Sequence, residues 1–426
     1  MEEKFLHFLW LNRLLDTSKL HTTKGERIEI VSTGTPNADV GPDFLNAKIR
    51  IGGQLWAGNV EMHIKASDWF AHGHERDQAY DSVILHVVYE ADMPVYNSKS
   101  VPIPTVETAR AIPAKILERF RHLQFPKESL ACSVFIPEVD NLKRISWLER
   151  LYIERMKRKT GEIFRLLQET NNDWEGVLYR MLFRYFGMPH NSGIFFAASG
   201  RLPFPVVRKH RHNPDELAAL FFGITGLLEG DEPEDEYRYE LKRHFDFFRH
   251  KYQLNPVSQS LTFGRMRPVN FPTVRLAQLT ALYNRHDNLF DLLIKGKDPD
   301  EKLKMLQIDV PEYWQTHYVF GKPSRKRRKR TGKNFAEALM LNVILPLQFA
   351  FAEYEGKTDK SFVLQAASDL PPENNRIVRL FTKAGLKTEN ALETQGLLQL
   401  HSEYCIKRKC LSCAWGNQFL YHDRHR

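Results

Sequence analysis

Two stretches near the N-terminus decide the fold of that region: LWAGNVEMHIK at residues 55–65 and SVILHVVY at residues 82–89. Nearly every residue of the second stretch is apolar, which is typical of a strand buried on both faces of a sheet. Side chains alternate along the first stretch, so Glu61, His63 and Lys65 share one face while the residues between them point to the core. We therefore predict a central strand beside a strand that has one polar face.

The residues around these strands predict a mixed α/β domain that ends near residue 125. Apolar positions with helical spacing predict a helix over residues 5–15, and β-type runs lie at 27–32 and 48–51. Glycine and proline mark 34–42 as a loop, and 75–80 has the composition of a short helix. The predicted order is helix, three strands, short helix and central strand.

From residue 140 to residue 426 the apolar spacing becomes helical. Asn172 and Asn213 each stand where they can cap the start of a helix. The apolar run at 339–352 is too short to span a bilayer and predicts a buried helix. The predicted fold class is an α/β (α+β) N-terminal domain with a mixed sheet, followed by a mostly helical domain that includes a basic loop at 322–333 and a cysteine motif at 401–413.

Composition excludes several classes of protein. The chain has 426 residues, of which 42% are hydrophobic, 27% charged and 12% aromatic, so it is not a disordered chain. Acidic residues precede the short apolar stretch at the N-terminus and no small-residue cleavage site follows, which argues against a secretory signal. Four cysteines are too few for a disulfide framework. We expect a cytoplasmic protein.

The positive charge of the chain is concentrated in one loop. Eight of the 61 basic residues lie between Lys322 and Lys333, and the remaining 53 nearly equal the 52 acidic residues. Consecutive cations repel one another and stay solvated unless an anion neutralises them, and nucleic-acid phosphate is a common partner. A solvated loop without function is the alternative. The cations that we expect to bind nucleic acid are Arg325, Lys326, Arg327, Arg328, Lys329 and Arg330.

Acidic and basic side chains near the predicted strands suggest a catalytic site. Asp43 precedes the second predicted strand, and the third carries Glu61, His63 and Lys65. Two carboxylates that meet from adjacent strands suit Mg²⁺ or Mn²⁺. The neighbouring imidazole or ammonium group can orient a water molecule or offset charge at a phosphate. Alternatively, Asp43 caps a turn and the strand residues form an ordinary exposed face.

This arrangement resembles the PD-(D/E)xK nuclease superfamily. That family has an Asp after Pro near its second core strand and an acid-x-Lys motif on the third, and Pro42-Asp43 and Glu61-x-His63 match this order. The resemblance implies a restriction-endonuclease-like fold and metal-dependent hydrolysis of phosphodiesters. The lysine position of the motif holds His63, and Lys65 follows two residues later, which departs from the pattern.

Further histidines lie between and within the last two predicted strands. His72 and His74 flank a glycine, with Asp77 three residues on, and this set can bind a transition metal. They can also bind phosphate in the same acidic site, or form a polar loop with hydrogen-bonded imidazoles. His86 lies in the most apolar strand, where we expect a core histidine held by a hydrogen bond.

Three of the four cysteines lie near the C-terminus. Cys410-x2-Cys413 has the spacing of a zinc knuckle, and Cys405 lies four residues before it. His401, His422 or Cys132 can supply a fourth ligand. The spacing also resembles that of the cysteine loop of an iron–sulfur cluster in some DNA repair glycosylases and nucleases, although that loop has a wider first gap and a fourth cysteine. Inert reduced thiols are the remaining alternative.

The chain also resembles, along its whole length, a bacterial family of uncharacterised proteins, which brings no established activity. The segments of this resemblance are Gly41-Pro42-Asp43-Phe44, Ala47, Trp56, Gly58–His63, Ser67-Asp68-Trp69, His72, His74, Tyr80, Val83–Val88, Arg267-Pro268-x-Asn270-Phe271-Pro272 and the C-terminal cysteines. We expect a metal-dependent nuclease. The alternatives are a nucleic-acid-binding protein without catalysis and a metal-dependent hydrolase of small molecules.

Overall fold

The computed structural model describes residues 1–125, 130–230 and 235–421. The chain forms two compact units. The first comprises Met1–Asn141, Leu380–Leu386 and the C-terminal segment from His401, and the second comprises Leu142–Arg379 and Lys387–Leu400. The cysteine motif at 401–413 therefore belongs to the unit that contains the sheet, and not to the helical domain in which the sequence analysis placed it.

A six-stranded mixed sheet forms the centre of the first unit. Its strands are β1 (Ile28–Ser32), β2 (Thr35–Pro36), β3 (Phe44–Ile51), β4 (Gln54–Lys65), β5 (Val83–Glu90) and β6 (Thr105–Glu107). The strand order is β1-β3-β4-β5-β6, with β2 paired to β3. β1, β3 and β4 are antiparallel, whereas β4, β5 and β6 run parallel. The predicted mixed sheet is confirmed, and β2 and β6 are strands that the sequence analysis missed.

Both faces of this sheet are covered, because its central strand is apolar on both sides. The helices of the unit are α1 (Glu3–Leu11), α2 (Asp68–Ala71), α3 (Ala114–Gln124) and α18 (Ala414–Tyr421). Leu85 and Val87 of β5 join a core that includes residues of α1 and α3, where Phe5 and Phe120 stack at 3.7 Å between ring centroids. Val88 belongs to a separate cluster with Trp69 on the other side.

The segment between β4 and β5 positions the histidines of the site. Two 3₁₀ turns, His74–Arg76 and Gln78–Ser82, stand where the sequence predicted a short helix at 75–80. The short helix α2 precedes them. Gly73 has φ of 75°, a left-handed conformation that glycine adopts without steric cost and that lets the chain reverse between His72 and His74.

Every regular element of the second unit is helical within the ranges that the structure covers. Its helices are α4 (Asn141–Glu169), α5 (Trp174–Phe186), α6 (Ser192–Arg201), α7 (Phe204–His210), α8 (Pro214–Ile224), α9 (Glu236–Tyr252), α10 (Pro272–Arg285), α11 (Pro299–Met305), α12 (Glu312–Thr316), α13 (Lys333–Leu339), α14 (Leu345–Tyr354), α15 (Ser361–Ser368) and α17 (Ala391–Leu400). The unit boundary falls within α16 (Arg376–Lys383). The prediction of a mostly helical C-terminal region is confirmed.

Helix starts depend on short polar side chains. Asn213 caps α8 as predicted, because its side chain accepts hydrogen bonds from two backbone N–H groups. α5 is capped by Asp173 and not by Asn172, whose φ of 63° is left-handed. One continuous helical segment, Lys333–Tyr354, is long and apolar enough to cross a membrane, but 78% of its most apolar window is buried in the protein. This confirms the predicted buried helix at 339–352.

Candidate metal centre

Asp43 and Glu61 meet where β3 begins beside β4. Phe44 pairs with Val60 in the antiparallel ladder, so the residues that flank this pair lie next to each other. The backbone N–H of Asp43 donates to Glu61 Oε2 at 3.0 Å, and the backbone N–H of Met62 donates to Asp43 Oδ2 at 3.0 Å. The two carboxylates are thus fixed side by side, as the sequence analysis expected for Asp43 and Glu61.

Three histidines surround the carboxylate of Glu61. Glu61 Oε1 lies 3.3 Å from His74 Nε2 and 3.6 Å from His63 Nε2. His63 Nε2 lies 3.0 Å from His72 Nδ1. Glu61, His63 and His74 are buried, whereas His72 is exposed. Three imidazoles therefore converge beside the Glu61 carboxylate, and the site is open to solvent on the side of His72.

The separations between these atoms match the ligand shell of a single ion. A tetrahedral ion with bonds of 2.0–2.2 Å holds its nitrogen and oxygen ligands about 3.3 Å apart. The separations around Glu61 and His63 run from 3.0 to 3.6 Å, and one nitrogen from each of His63, His72 and His74 lies within 4.8 Å of the others. The three histidines are thus arranged as ligands of one metal ion, and Glu61 contacts two of them.

His86 contacts the ring nitrogen of His63 that does not face His72. His86 is fully buried, and its Nε2 lies 2.8 Å from His63 Nδ1. Burial, together with the neighbouring histidines, lowers the pKa of His63 to about 4 and the pKa of His86 well below its ordinary value. Both rings are therefore neutral at pH 7. If His63 Nδ1 donates to His86, the lone pair of His63 Nε2 faces the ligand position, because a metal-binding histidine is usually oriented by a hydrogen bond from its other ring nitrogen.

The surroundings of Glu61 disfavour the ionised form of its carboxyl group when no cation is bound. Burial and the adjacent charge of Asp43 raise the pKa of Glu61, although the hydrogen bond from His74 opposes this shift. A bound cation would relieve both unfavourable effects, since it favours the ionised carboxylate.

A second ligand group adjoins the first and was missed by the sequence analysis. His7 Nε2 lies 3.2 Å from Asp43 Oδ2 and 3.8 Å from Glu3 Oε1. Although burial alone would lower it, the pKa of His7 is raised by the hydrogen bond and charge of Asp43 and by Glu3 and Glu61. The signal in the sequence was the spacing of Glu3 and His7, which places both on one face of α1.

Two of the predicted residues lie outside these groups. The Lys65 ammonium group is half-exposed and lies 3.9 Å from Glu90 Oε2, an acid outside both ligand groups. Lys65 is the last residue of β4, two residues beyond His63. Asp77 caps the 3₁₀ turn that follows it by accepting from the backbone N–H of Ala79. His63, being neutral at pH 7, does not supply the positive charge of a lysine either.

The basic loop is only partly available for a ligand. Lys329 is 3% exposed, and its ammonium group donates to the carbonyls of Trp314 and His317 at 2.7 Å each. Arg328 forms a two-pronged pair with Asp309, at 2.7 and 2.8 Å. The expectation of six solvated cations is therefore wrong for Lys329, which is buried, whereas Arg328 is ion-paired but remains exposed.

The other cations of this loop differ from one another. Arg330 donates to the carbonyl of Gln307 at 2.9 Å and lies 3.9 Å from Asp309. Arg325, Lys326 and Arg327 have exposed side chains, and Lys326 makes only a long contact of 4.0 Å with the exposed Glu312. These three residues are the exposed cations of the run 325–330 whose side chains make no close ion pair or hydrogen bond to a carbonyl among the residues that the structure describes, whereas Arg328 and Arg330 are exposed but held by such contacts.

All four cysteines of the chain line one cavity of about 240 Å³ in the first unit, together with His401. The structure thus brings Cys405, Cys410 and Cys413 together, and it adds Cys132 from a distant part of the sequence. His422, the other candidate ligand, lies outside the described residues.

Comparison with known proteins identifies a family but no activity. A family model described as "Protein of unknown function (DUF2851)" matches residues 3–376. This range contains Glu61, the three histidines and Cys132, and it ends before Cys405. The search of curated proteins gives no match, and neither does the search of solved structures. The chain belongs to the DUF2851 family of proteins of unknown function.

Proposed function

We propose that this protein is a metal-dependent hydrolase that cleaves phosphodiester bonds in nucleic acid, and that Glu61, His63, His72 and His74 hold its divalent ion. The main support is the convergence of one nitrogen from each of the three histidines within 4.8 Å, with Glu61 Oε1 3.3 and 3.6 Å from two of them and directly beside Asp43. A carboxylate that is buried next to another carboxylate is costly unless a cation is bound.

The fold of the first unit supports a phosphodiesterase. Three antiparallel strands, β1, β3 and β4, are followed by the parallel strand β5, and the two acids lie where β3 begins beside β4. This is the order of elements implied by the resemblance to the PD-(D/E)xK nucleases. A restriction-endonuclease-like fold is accordingly part of the proposal. The group of Glu3, His7 and Asp43 offers a second cation position, as two-metal hydrolysis requires.

The ligand types favour particular metals. Imidazole ligands suit Zn²⁺ or Fe²⁺ and carboxylates suit Mg²⁺ or Mn²⁺, so we propose Mn²⁺, Fe²⁺ or Zn²⁺ at the histidine-rich group and Mg²⁺ or Mn²⁺ at the acidic group. The ion supplies Lewis-acid chemistry, which activates water and offsets charge on the phosphate. His86 orients His63, while Asp43 and His7 stand where a proton from the attacking water can be accepted.

Nucleic acid is the proposed substrate because the outward cations of the basic loop are suited to phosphate. Arg325, Lys326 and Arg327 are adjacent and exposed. Neutralising several phosphates in this way gives affinity that falls steeply with salt.

The test is cleavage of single- and double-stranded DNA and RNA by purified protein loaded with each of these metals. We expect Glu61→Gln and Asp43→Asn to reduce the cleavage rate by about 100-fold or more, since each changes the charge at the metal site. Lys65→Ala is the matched control on the same strand and should cleave like the wild type. Absence of cleavage with every metal, or full activity of Asp43→Asn, would contradict the proposal. Salt-sensitive binding without cleavage would instead support a non-catalytic nucleic-acid-binding protein.

A second candidate function is hydrolysis of a small molecule at the same metal. It is favoured by the three imidazoles, which are more numerous than a magnesium nuclease needs. Bis-nitrophenyl phosphate and a panel of esters and amides separate the two functions. If Glu61-dependent turnover occurs with the small substrates while polynucleotides are left intact, the second function is correct.

A further inference from the structure

The cavity lined by the four cysteines is a second feature that the proposed function does not use. Cys132 lies after α3, and the other three lie on the C-terminal segment that returns to the same unit. Every cysteine of the chain therefore reaches one cavity, although they come from two distant parts of the sequence. Inert core thiols have no physical reason to gather in this way.

Local turns set the positions of the sulfur atoms. The carbonyl of Cys132 accepts from the N–H groups of Phe135 and Ile136, and that of Cys410 accepts from Cys413 N–H at 3.2 Å. A Cβ atom at Gly416 would lie 2.3 Å from the carbonyl oxygen of Cys410, so only glycine lets α18 approach this turn. The two segments are thus built to meet at the cavity.

The spacing of the sulfurs differs from that of the histidine site. Around one zinc ion with bonds of about 2.3 Å, sulfur ligands lie about 3.8 Å apart. In the described parts of the chain, the sets of three ligand atoms within 4.8 Å of one another are His63, His72 and His74, and Glu3, His7 and Asp43; no three of the cysteines form such a set. The four cysteines line a cavity of about 240 Å³ instead.

We infer that Cys132, Cys405, Cys410 and Cys413 hold an iron–sulfur cluster. In such a cluster the cysteines bind irons that are bridged by sulfide, so their sulfur atoms lie further apart than around one ion. Four cysteine thiolates are the usual ligand set. On ligation each thiol loses its proton to solvent, and the sulfur forms a bond to iron.

The charges around the cavity fit this assignment. Arg408 lines the cavity and is held by a 2.6 Å hydrogen bond that its guanidinium group donates to the carbonyl of Gln124. A fixed cation at this position would balance the net negative charge of a four-thiolate cluster.

The test is the metal content of the full-length protein, produced with sufficient iron and purified without oxygen. We expect visible absorption typical of iron–sulfur proteins, with iron and acid-labile sulfide in equal amounts, roughly two or four of each per chain. Cys132→Ser and Cys410→Ser should each lose most of the iron and sulfide. Ser133→Ala and Ser412→Ala are the neighbouring controls and should retain both.

Two results would overturn the inference: stoichiometric zinc without sulfide, or a protein that holds neither metal. Retention of the cluster in Cys132→Ser with loss in Cys410→Ser would also overturn it, because His401 or another group would then complete the ligand set. If the variants do not fold, native mass spectrometry of the wild type gives the mass of the bound group directly. Loss of the cluster and failure of nuclease activity are separate results, since Glu61→Gln should keep its acid-labile sulfide and the visible absorption of the cluster.

Discussion

Both nitrogens of the His63 ring lie within hydrogen-bonding distance of other imidazoles. His86 is on one side at 2.8 Å and His72 on the other at 3.0 Å. Because a proton added to this ring is buried and has no carboxylate as its hydrogen-bond partner, the folded protein resists protonation far more than the unfolded chain does. The behaviour of the metal-free protein in acid depends on this single residue and its neighbours.

We expect metal-free protein, kept in chelator, to lose stability as the pH falls from about 6.5 to about 4. The pKa of His63 is about 4 in the folded state and near 6.5 in the unfolded state, so the unfolded chain binds more protons in this window. The lost free energy of unfolding is up to about 3 kcal/mol. Denaturant unfolding at a series of pH values measures it.

His63→Gln supplies the comparison for this acid effect. It removes the titrating ring, so its free energy of unfolding should vary less with pH than that of the wild type. His212→Gln, at an exposed position, should leave the pH dependence unchanged. Equal slopes for the wild type and His63→Gln would show that His63 is not the cause.

Lys329 is a second residue whose burial makes it important for stability. Lys329→Met keeps most of the side-chain volume but leaves the carbonyls of Trp314 and His317 without this donor, and it removes the ammonium group 3.7 Å from the ring centroid of Tyr318. An unsatisfied buried acceptor costs about 1–3 kcal/mol. We expect the free energy of unfolding to fall by about 2 kcal/mol or more.

Arg325→Met is the matched change in the same basic loop, at an exposed position. It should alter stability by no more than about 0.5 kcal/mol. If both variants unfold at the same denaturant concentration as the wild type, the buried position of Lys329 is not important for stability.

At the scale of elements, the pairing of β4 with β5 positions the metal ligands. Gly58 lies in β4 three residues before Glu61, and a Cβ atom there would lie 2.4 Å from Ile84 Cγ2 and 2.7 Å from the carbonyl oxygen of Ser82. The backbone carbonyl cannot move without shifting β5, so this glycine permits the close parallel pairing of the strands.

Gly58→Ala should therefore separate the two strands. We expect a loss of about 1–3 kcal/mol in the free energy of unfolding and weaker metal binding, since Glu61 and His63 follow on the same strand. Thermal unfolding and metal titration measure the two effects. Gln54→Ala, at the exposed start of β4, is the control and should change neither. Wild-type metal affinity in Gly58→Ala would mean that the strand pairing tolerates the extra methyl group.

The elements that the sequence predicted were those with a strong local pattern. β4 and β5 are long and regularly patterned, and their prediction is confirmed to within one or two residues. β6 has only three residues, and it is a strand because it pairs with β5. No local sequence pattern therefore indicates it. His7 was not foreseen as part of its site, and Cys132 was only one of three candidates for a fourth ligand, because their positions depend on tertiary contacts with residues far away in the sequence. Asp43 and Glu61 were foreseen because one precedes a strand and the other lies in the adjacent strand.

At the scale of the whole molecule, the net charge is +9, and the cations of the basic loop that account for most of it differ in their contacts. Lys329 and Arg328 are bound within their own unit, and Arg330 is anchored to the carbonyl of Gln307. The cations of the run 325–330 whose side chains are exposed and have no close partner among the described residues are Arg325, Lys326 and Arg327. We expect nucleic-acid binding by the loop to rest mainly on these three residues.

If these three cations contact phosphates, changing all of them to glutamine should weaken nucleic-acid binding and reduce its dependence on salt. Each lost contact lowers the slope of log K against log salt by about 0.9 for duplex DNA, so we expect a decrease of roughly two to three. Fluorescence anisotropy at several salt concentrations measures this slope. A triple change of Arg243, Arg249 and Lys251 to glutamine removes the same charge from exposed positions on α9 and should leave the slope nearly unchanged. Equal decreases in both triple variants would mean that net charge alone governs binding, while an unchanged slope in the loop variant would assign the nucleic-acid contacts to another surface.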